Sequence, residues 1–318
     1  MFKTIIDKFS KKSLFAGLDL GAANIKSLQL SATKQGYRVE NYLIEPCTAD
    51  PNIAIATVLN KLAPQSINIA IADTHIINKI ITLPSALNAD QIYDLLHTEA
   101  EQYFTQSLDA LYFDFQILGI NSNDSLTVDI LLIVAHKNYI DNQVNSVQSL
   151  GYPVKIVDVQ SHAIERAFNF VTTDPVHLVV DVGLHSLLVL VIENKNIIFT
   201  HSEMIAIFSP QEAVLAISRA LKMFSVNNPK INIYQLFVIG GTAHLPDFIE
   251  LLSVHLKMQI NIANPFLNME LNPSLVAEHL YEHAADLVLS LGLALRNFQN
   301  IRAYAKPNHF ERLDSKER

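Results

Sequence analysis

The stretch LFAGLDLGAANIKSLQL, residues 14–30, places two apolar, strand-like runs on either side of a short glycine turn. Asp19, Gly21 and Lys26 interrupt these runs, although a strand interior excludes a carboxylate or an ammonium group unless something compensates for its lost hydration. Two interpretations fit this pattern. Either a bound phosphate with its metal ion compensates for the charges, or the stretch is a hairpin whose polar residues face water.

A second copy of the pattern favours the first interpretation. In HLVVDVGLHSLLVLVIE, residues 177–193, Asp181 aligns with Asp19 and Gly183 aligns with Gly21. Each copy has an apolar strand, D-x-G, a short link and a second apolar strand. Because repeated units set the architecture of a chain, this repeat of a domain-sized unit predicts two related halves.

Composition limits the classes of function. The 318 residues are half apolar, which is enough for two or more subdomains, and 31 acidic residues against 23 basic ones argue against a general nucleic-acid surface. A single cysteine, Cys47, excludes a disulfide framework and a cysteine-rich zinc site. No apolar run approaches the ~20 residues of a membrane-spanning helix. The start, MFKTIIDKFSKK, lacks the apolar region of a secretory signal and predicts a short basic amphipathic helix.

Three turns at predicted strand ends carry the candidate chemistry, since ligands of α/β proteins bind at such ends. The glycine hairpins let backbone N–H groups approach phosphate oxygens, and a neighbouring lysine supplies a positive charge. Asp19 and Asp181 are the candidate magnesium ligands, acting through bound water. A third turn after a strand, with two glycines, leaves room for a flat nucleoside. The candidate binding residues are Asp19, Gly21, Ala22, Lys26, Asp181, Gly183, Ser186, Gly240, Gly241 and Thr242.

In this order, the motifs resemble the actin-like ATPase superfamily. Within it, the chain is similar to the PilM family of type IV pilus assembly, which is related to the division protein FtsA. The similarity covers nearly the whole chain, and its most characteristic part is TEAEQYF, residues 98–104, followed by LYFDFQIL, residues 111–118. The resemblance implies an α/β, actin-like ATPase fold with two related mixed-sheet domains, an inserted 1C-type α/β subdomain and a truncated subdomain 2B.

The resemblance also implies a division into subdomains. Subdomain 2B is expected to be a remnant because only SEMIAIFS, residues 202–209, separates the third strand of 2A from a helix that begins near Pro210. The expected segments are 1–65 (first part of 1A), 66–158 (1C), 159–174 (return helix of 1A), 175–272 (2A with the 2B remnant), 273–300 (a long C-terminal helix that packs back on 1A) and 301–318 (a disordered tail).

For function, the resemblance implies ATP and Mg²⁺ in the central cleft and the N-terminal cytoplasmic peptide of PilN in a groove between 1A and 1C. Further expected partners are the other platform and motor proteins of type IV pilus assembly and twitching motility, at the cytoplasmic face of the inner membrane. Family hairpins usually carry Ser or Thr where this chain has Ala22 and Ala23, and a small residue where it has Leu184. With a reduced 2B, these departures predict weak or lost ATP binding and a structural adaptor rather than an enzyme.

Other interpretations remain open at this point. An FtsA-like division filament protein and a small-molecule kinase share the superfold, and fold alone does not separate them. HLYEH, residues 279–283, matches the H-x-x-E-H zinc-peptidase pattern, but so short a pattern is more often a solvated helix face. Tyr103 and Phe104 are candidates for the peptide groove, with core packing as the favoured interpretation.

Overall fold

The computed structural model describes residues 14–98, 110–206 and 208–298. In these ranges the chain forms three β-sheets with helices packed on them. No helix in the described ranges has both the length and the apolar character needed to cross a membrane. The predicted N-terminal helix, the predicted tail at 301–318 and the pair Tyr103 and Phe104 lie outside the described residues.

The first sheet contains the opening hairpin. Its strands β1 and β2 pair antiparallel with Asp19 opposite Lys26 and Leu20 opposite Ile25, as the hairpin prediction requires. β1 also pairs in parallel with β4, which in turn pairs in parallel with β8. The strand order is β14-β3-β2-β1-β4-β8. These strands are β1 (Phe15–Leu20), β2 (Asn24–Ala32), β3 (Tyr37–Pro46), β4 (Ser66–Ile71), β8 (Val154–Val159) and β14 (Glu270–Leu271).

The second sheet repeats the plan of the first. Its order is β11-β10-β9-β12-β13, with the β9–β10 pair antiparallel and both β9–β12 and β12–β13 parallel. Five strands of the first sheet, in the order β3-β2-β1-β4-β8, have the same arrangement and directions, so the repeat predicted from the two D-x-G motifs is confirmed. Its strands are β9 (Val176–Val182), β10 (Ser186–Glu193), β11 (Asn196–Met204), β12 (Gln235–Ile239) and β13 (Gln259–Ile262).

The third sheet is a small antiparallel insert with the order β5-β7-β6. It is narrower than the expected segment 66–158, because β4 and β8 at the ends of that segment form their hydrogen bonds within the first sheet. The sheet itself is confined to residues 76–136. Its strands are β5 (Ile76–Pro84), β6 (Leu111–Ile120) and β7 (Thr127–His136).

The helices of the described ranges begin and end largely where local sequence signals predict. Asp50 caps the first helix by accepting a hydrogen bond from Asn52 N, and Pro51 occupies its first turn, where the missing N–H costs nothing. The short link predicted before Pro210 runs from Met204, the last residue of β11. The helices are α1 (Pro51–Leu62), α2 (Ala89–Thr98), α3 (Lys137–Gln148), α4 (Gln160–Phe168), α5 (Pro210–Asn227), α6 (Pro246–Leu256), α7 (Ala277–Glu282) and α8 (Val288–Leu295).

The single long helix expected near the C-terminus is wrong, because the chain breaks it at His283. That residue leaves helical geometry, and a 3₁₀ turn, Ala285–Leu287, separates α7 from α8. The carbonyl of Ala285 accepts a hydrogen bond from Gly240 N at 2.9 Å, so it is engaged outside the helix. A tertiary contact, which local periodicity does not report, thus accompanies the break.

Helix α8 is buried along its whole length between the first sheet and α4. A Cβ atom on Gly17 of β1 would lie 2.0 Å from Ser290 O, and one on Gly292 would lie 1.8 Å from Ala163 O. Both glycines thus permit a backbone approach that no other residue allows. Leu291 of α8 belongs to one apolar core with Leu28 of the first sheet and Val179 of the second. The helix therefore joins the two halves and packs on the first sheet.

Candidate functional site

All ten candidate binding residues line one cleft of about 480 Å³. The β1–β2 turn supplies one wall, the β9–β10 turn supplies the second, and the glycine pair after β12 supplies the third. The sequence separates these turns by up to 220 residues, and the repeated sheet order brings them together. Ala22, Ser186 and Thr242 thus reach the same cleft as the two aspartates.

Glycine geometry fixes the shape of the turns. A Cβ atom on Gly21 would lie 2.7 Å from Asn24 O, so only glycine fits that hairpin. In the second copy, Gly183 N donates a hydrogen bond to Ser186 O at 2.8 Å. These tight turns are of the kind that presents backbone N–H groups to an anion.

Lys26 and Asp19 form an ion pair inside the cleft. Lys26 Nζ lies 3.2 Å from Asp19 Oδ2, and the two side chains are only 12% and 14% exposed. Burial by itself lowers the pKa of Lys26, but the carboxylates of Asp19, Asp181 and Asp286 more than offset it, so the pKa is raised. Lys26 is therefore a fixed positive charge at neutral pH.

Among the described cleft residues, the carboxyl group of Asp181 has a strongly raised pKa. Burial raises its pKa to about 6; Lys26 opposes this, and the negative charge of Asp19 adds to it. Its Oδ2 accepts a hydrogen bond from Gln160 Nε2 at 2.9 Å. Gly240 has a φ of +75°, and a Cβ atom on it would lie 2.5 Å from Asp181 Oδ1. A larger residue at this position would therefore clash with the carboxylate. A cation bound nearby would favour the ionised form of Asp181.

The donor set fits a metal–phosphate ligand. Two carboxylates from equivalent positions of the two halves match the preference of Mg²⁺ for oxygen ligands and retained water. Lys26 would supply the positive charge for a phosphate beside them. Thr242 Oγ1 is buried and has no hydrogen-bond partner in the described part of the chain. Since buried polar atoms are normally paired, a ligand or a water is needed to satisfy it.

Several residues of the cleft were not among the candidates from the sequence, and three of them make contacts there. Gln160, which bonds to Asp181, is the first residue of α4 directly after β8, and this strand-end position is a signal that was available. His75 and Tyr139 stack with their ring centroids 3.7 Å apart at the rim. Burial lowers the pKa of His75 and raises that of Tyr139. Their proximity depends on the insert, so no local pattern predicts it.

Two of the hairpin residues singled out in the sequence are present in the cleft wall. Ala22 offers no hydroxyl next to Gly21, and Leu184 is 44% exposed. His185 lines the same wall, and its carbonyl accepts a hydrogen bond from Ile205 N at 2.9 Å. The second hairpin is therefore bulkier and more apolar than the first.

Comparison with known proteins identifies one family and several solved structures of similar fold. The sequence profile of the family described as type IV pilus assembly protein PilM matches residues 17–206 and 201–298. A solved structure described as the PilM-PilN type IV pilus biogenesis complex matches with a TM-score of 0.71 at 17% identity, over 90% of this chain and 98% of that one.

Two further solved structures match less closely, each with a TM-score of 0.47. One is a Bacteroides thetaiotaomicron protein of unknown function with an actin-like ATPase fold, at 10% identity over 79% of this chain and 91% of that one. The other is the cytoplasmic domain of EpsL, an inner-membrane component of the Vibrio cholerae type II secretion system, at 15% identity over 86% and 94%. The predicted fold is confirmed by the family match and by the match to the PilM-PilN complex.

Proposed function

The chain belongs to the family of type IV pilus assembly protein PilM, and on that premise we propose that it is a structural adaptor that binds the N-terminal cytoplasmic peptide of PilN. In this role it connects the inner-membrane platform of the pilus machine, from the cytoplasmic side, with the motor. The observation that carries the proposal is the family match across both halves, including the small inserted sheet.

The insert offers a surface that suits an extended peptide. In the described ranges β5 is an edge strand of the third sheet, and Ile77 and Ile80 on it are exposed. An edge strand provides unpaired backbone groups for an added strand, while exposed apolar side chains give the contact its affinity. The groove proposed between 1A and 1C borders this strand, because β5 follows β4 of the first sheet after a single 3₁₀ turn, Asp73–His75.

Fluorescence anisotropy with a labelled peptide from the PilN N-terminus tests the adaptor proposal. We expect saturable binding to the full chain and a loss of at least tenfold in affinity for Ile80→Asp. The matched control is Ile262→Asp, since Ile80 and Ile262 are 63% and 54% exposed and both lie on edge strands. Absence of peptide binding, together with phosphoryl transfer from ATP to a sugar, would overturn the adaptor in favour of a kinase.

We further propose that the cleft binds Mg²⁺ and ATP only weakly. Asp19, Asp181 and Lys26 retain the charges for a magnesium-bound phosphate, whereas Leu184 crowds the second hairpin. The link between Met204 and Pro210 is too short for a full wall around the nucleoside.

Calorimetric titration with ATP and magnesium measures this directly. We expect binding no tighter than the millimolar range in the native chain, with tighter binding in Leu184→Ser. Micromolar affinity in the native chain would contradict the weakened site without affecting the peptide proposal.

A further inference from the structure

Two segments far apart in the sequence meet beside the glycine pair of the cleft. The first is the 3₁₀ turn Gly241–His244 that follows β12, and the second is the break between α7 and α8. The hydrogen bond from Gly240 N to Ala285 O, 2.9 Å long, joins them. Because backbone contacts fix both segments, the side chains that they carry meet in a defined arrangement.

Those side chains are two imidazoles and a carboxylate. His244 Nε2 lies 2.7 Å from Asp286 Oδ2, and His283 Nδ1 lies 3.5 Å from the same oxygen. One ligand atom from each residue falls within 4.8 Å of the others. Zn²⁺ binds histidine nitrogen and carboxylate oxygen at about 2.0–2.1 Å, which places tetrahedral ligand atoms about 3.3 Å apart. Small rotations of the two imidazoles therefore convert the arrangement into a coordination shell.

Burial and ring geometry suit a bound ion. Asp286 is 7% exposed, so its carboxylate is held in place, whereas His244 and His283 are partly open to solvent and free to adjust. The rings are 6.1 Å apart and inclined at 66°, so they do not stack on each other. Positions of the ion that face solvent would be filled by water.

We propose that His244, His283 and Asp286 form a binding site for a divalent transition-metal ion of the zinc class. Imidazole nitrogen favours such ions over Mg²⁺ and Ca²⁺, which prefer all-oxygen shells. The site lies beside the magnesium position proposed in the cleft, because both use the turn after β12, but its three ligand residues are different ones. A bound ion ties the glycine turn after β12 to the segment that leads into α8.

The short H-x-x-E-H pattern at 279–283 offers an alternative metal site with different ligands. It would use His279 on α7 and His283 directly after the helix, with Glu282 as the base. In the described residues His279, which is exposed on α7, does not belong to the His244 cluster. His279→Ala is therefore a matched control, because it removes an exposed histidine from α7 and leaves the proposed shell intact.

Calorimetric titration of Zn²⁺ into the metal-free full chain, with excess Mg²⁺ present, tests the site. We expect one more ion per chain in the native protein than in His244→Ala or His283→Ala, and no change in His279→Ala. Co²⁺ should give a visible absorption band that the first two variants lose. Melting temperatures in chelator must match the native value, and His244→Gln, which keeps a hydrogen-bonding group, replaces any variant that fails this check.

Three results would overturn the proposal. The first is native protein that takes up no Zn²⁺ below millimolar concentration. The second is unchanged uptake in both His244→Ala and His283→Ala. The third is loss of the ion in His279→Ala, which would assign the metal to the helical pattern instead. None of these results bears on peptide binding at β5, so failure of the metal site leaves the adaptor proposal standing.

Discussion

At the scale of single residues, the cleft concentrates charge that the fold must hold without full hydration. Lys26 lies within a group of carboxylates that raise its pKa, and burial raises the pKa of Asp181 to about 6. A cleft arranged in this way favours a ligand that brings both a cation and an anion, because each compensates for one part of the group. Substitutions of Lys26 and of Asp181 test separately how each charge affects the stability of the protein.

Lys26→Met should destabilise the protein by about 3 kcal/mol, because it leaves the Asp19 carboxylate nearly buried without its partner. Urea unfolding at pH 7 measures the change. The control is Lys61→Met, since the Lys61–Glu45 pair is largely exposed and its loss should cost less than about 1 kcal/mol. Equal effects of the two substitutions would show that the cleft is more hydrated than the structure indicates.

Asp181 should make the native protein less stable as the pH rises from 5 to 7. Its folded pKa of about 6 exceeds the ordinary 3.8, so the folded state binds the proton more tightly and loses this advantage as pH passes 6. Relative to Asp181→Asn, the native chain should lose about 1 kcal/mol of unfolding free energy over this range. Asp129→Asn is the control, because hydrogen bonds from Asn121 and Thr82 lower the pKa of Asp129 and keep its titration below this range.

At the scale of elements, the sequence predicted features that depend on local interactions and missed those that depend on residues distant in the chain. The hairpin at Asp19 and the helix start at Asp50 were predicted because turn glycines, alternation and caps act within a few residues. The break at His283 was missed, and the contact beside it joins the carbonyl of Ala285 to Gly240, more than 40 residues away. The contact of His244 with Asp286 was missed for the same reason, since neither segment carries a signal for the other.

Gly292→Ala should be among the most damaging small substitutions in the chain. Its Cβ would lie 1.8 Å from Ala163 O, so α8 must move away from α4, and we expect a loss of more than about 3 kcal/mol or failure to express in soluble form. Gly241→Ala is the control, because the nearest atom would be 3.9 Å away and its cost should stay below about 1 kcal/mol. Thermal unfolding of purified proteins, with soluble yield recorded, distinguishes the two.

At the scale of the whole molecule, the two halves share one apolar core through α8. Leu291 is fully buried in the cluster that also contains Leu28 and Val179. The stabilities of the two sheets are therefore coupled. The cleft between their turns depends on α8, which packs on both. The repeated D-x-G motif predicted two halves, but their coupling depends on α8, whose position no local pattern reveals.

Leu291→Ala should lower the stability of both halves together, by about 2–5 kcal/mol, and preserve a single unfolding transition. Circular dichroism and hydrogen exchange, read for peptides from each sheet, measure this. Leu215→Ala, on an exposed part of α5, should change stability by less than about 0.5 kcal/mol. Two separated transitions in the native chain would show that the halves unfold independently.

The pairing of β14 with β3, and the position of α8 against β1, bear on how the chain is synthesised. Glu270 aligns with Arg38, and Ser290 Oγ donates a hydrogen bond to Lys26 O across 264 residues. A ribosome must therefore translate the chain as far as α8 before the first sheet obtains its final neighbours. Until then that sheet presents an uncovered apolar face, which favours slow folding and association with chaperones. Premature termination anywhere before α8 would leave this face exposed and prone to aggregation.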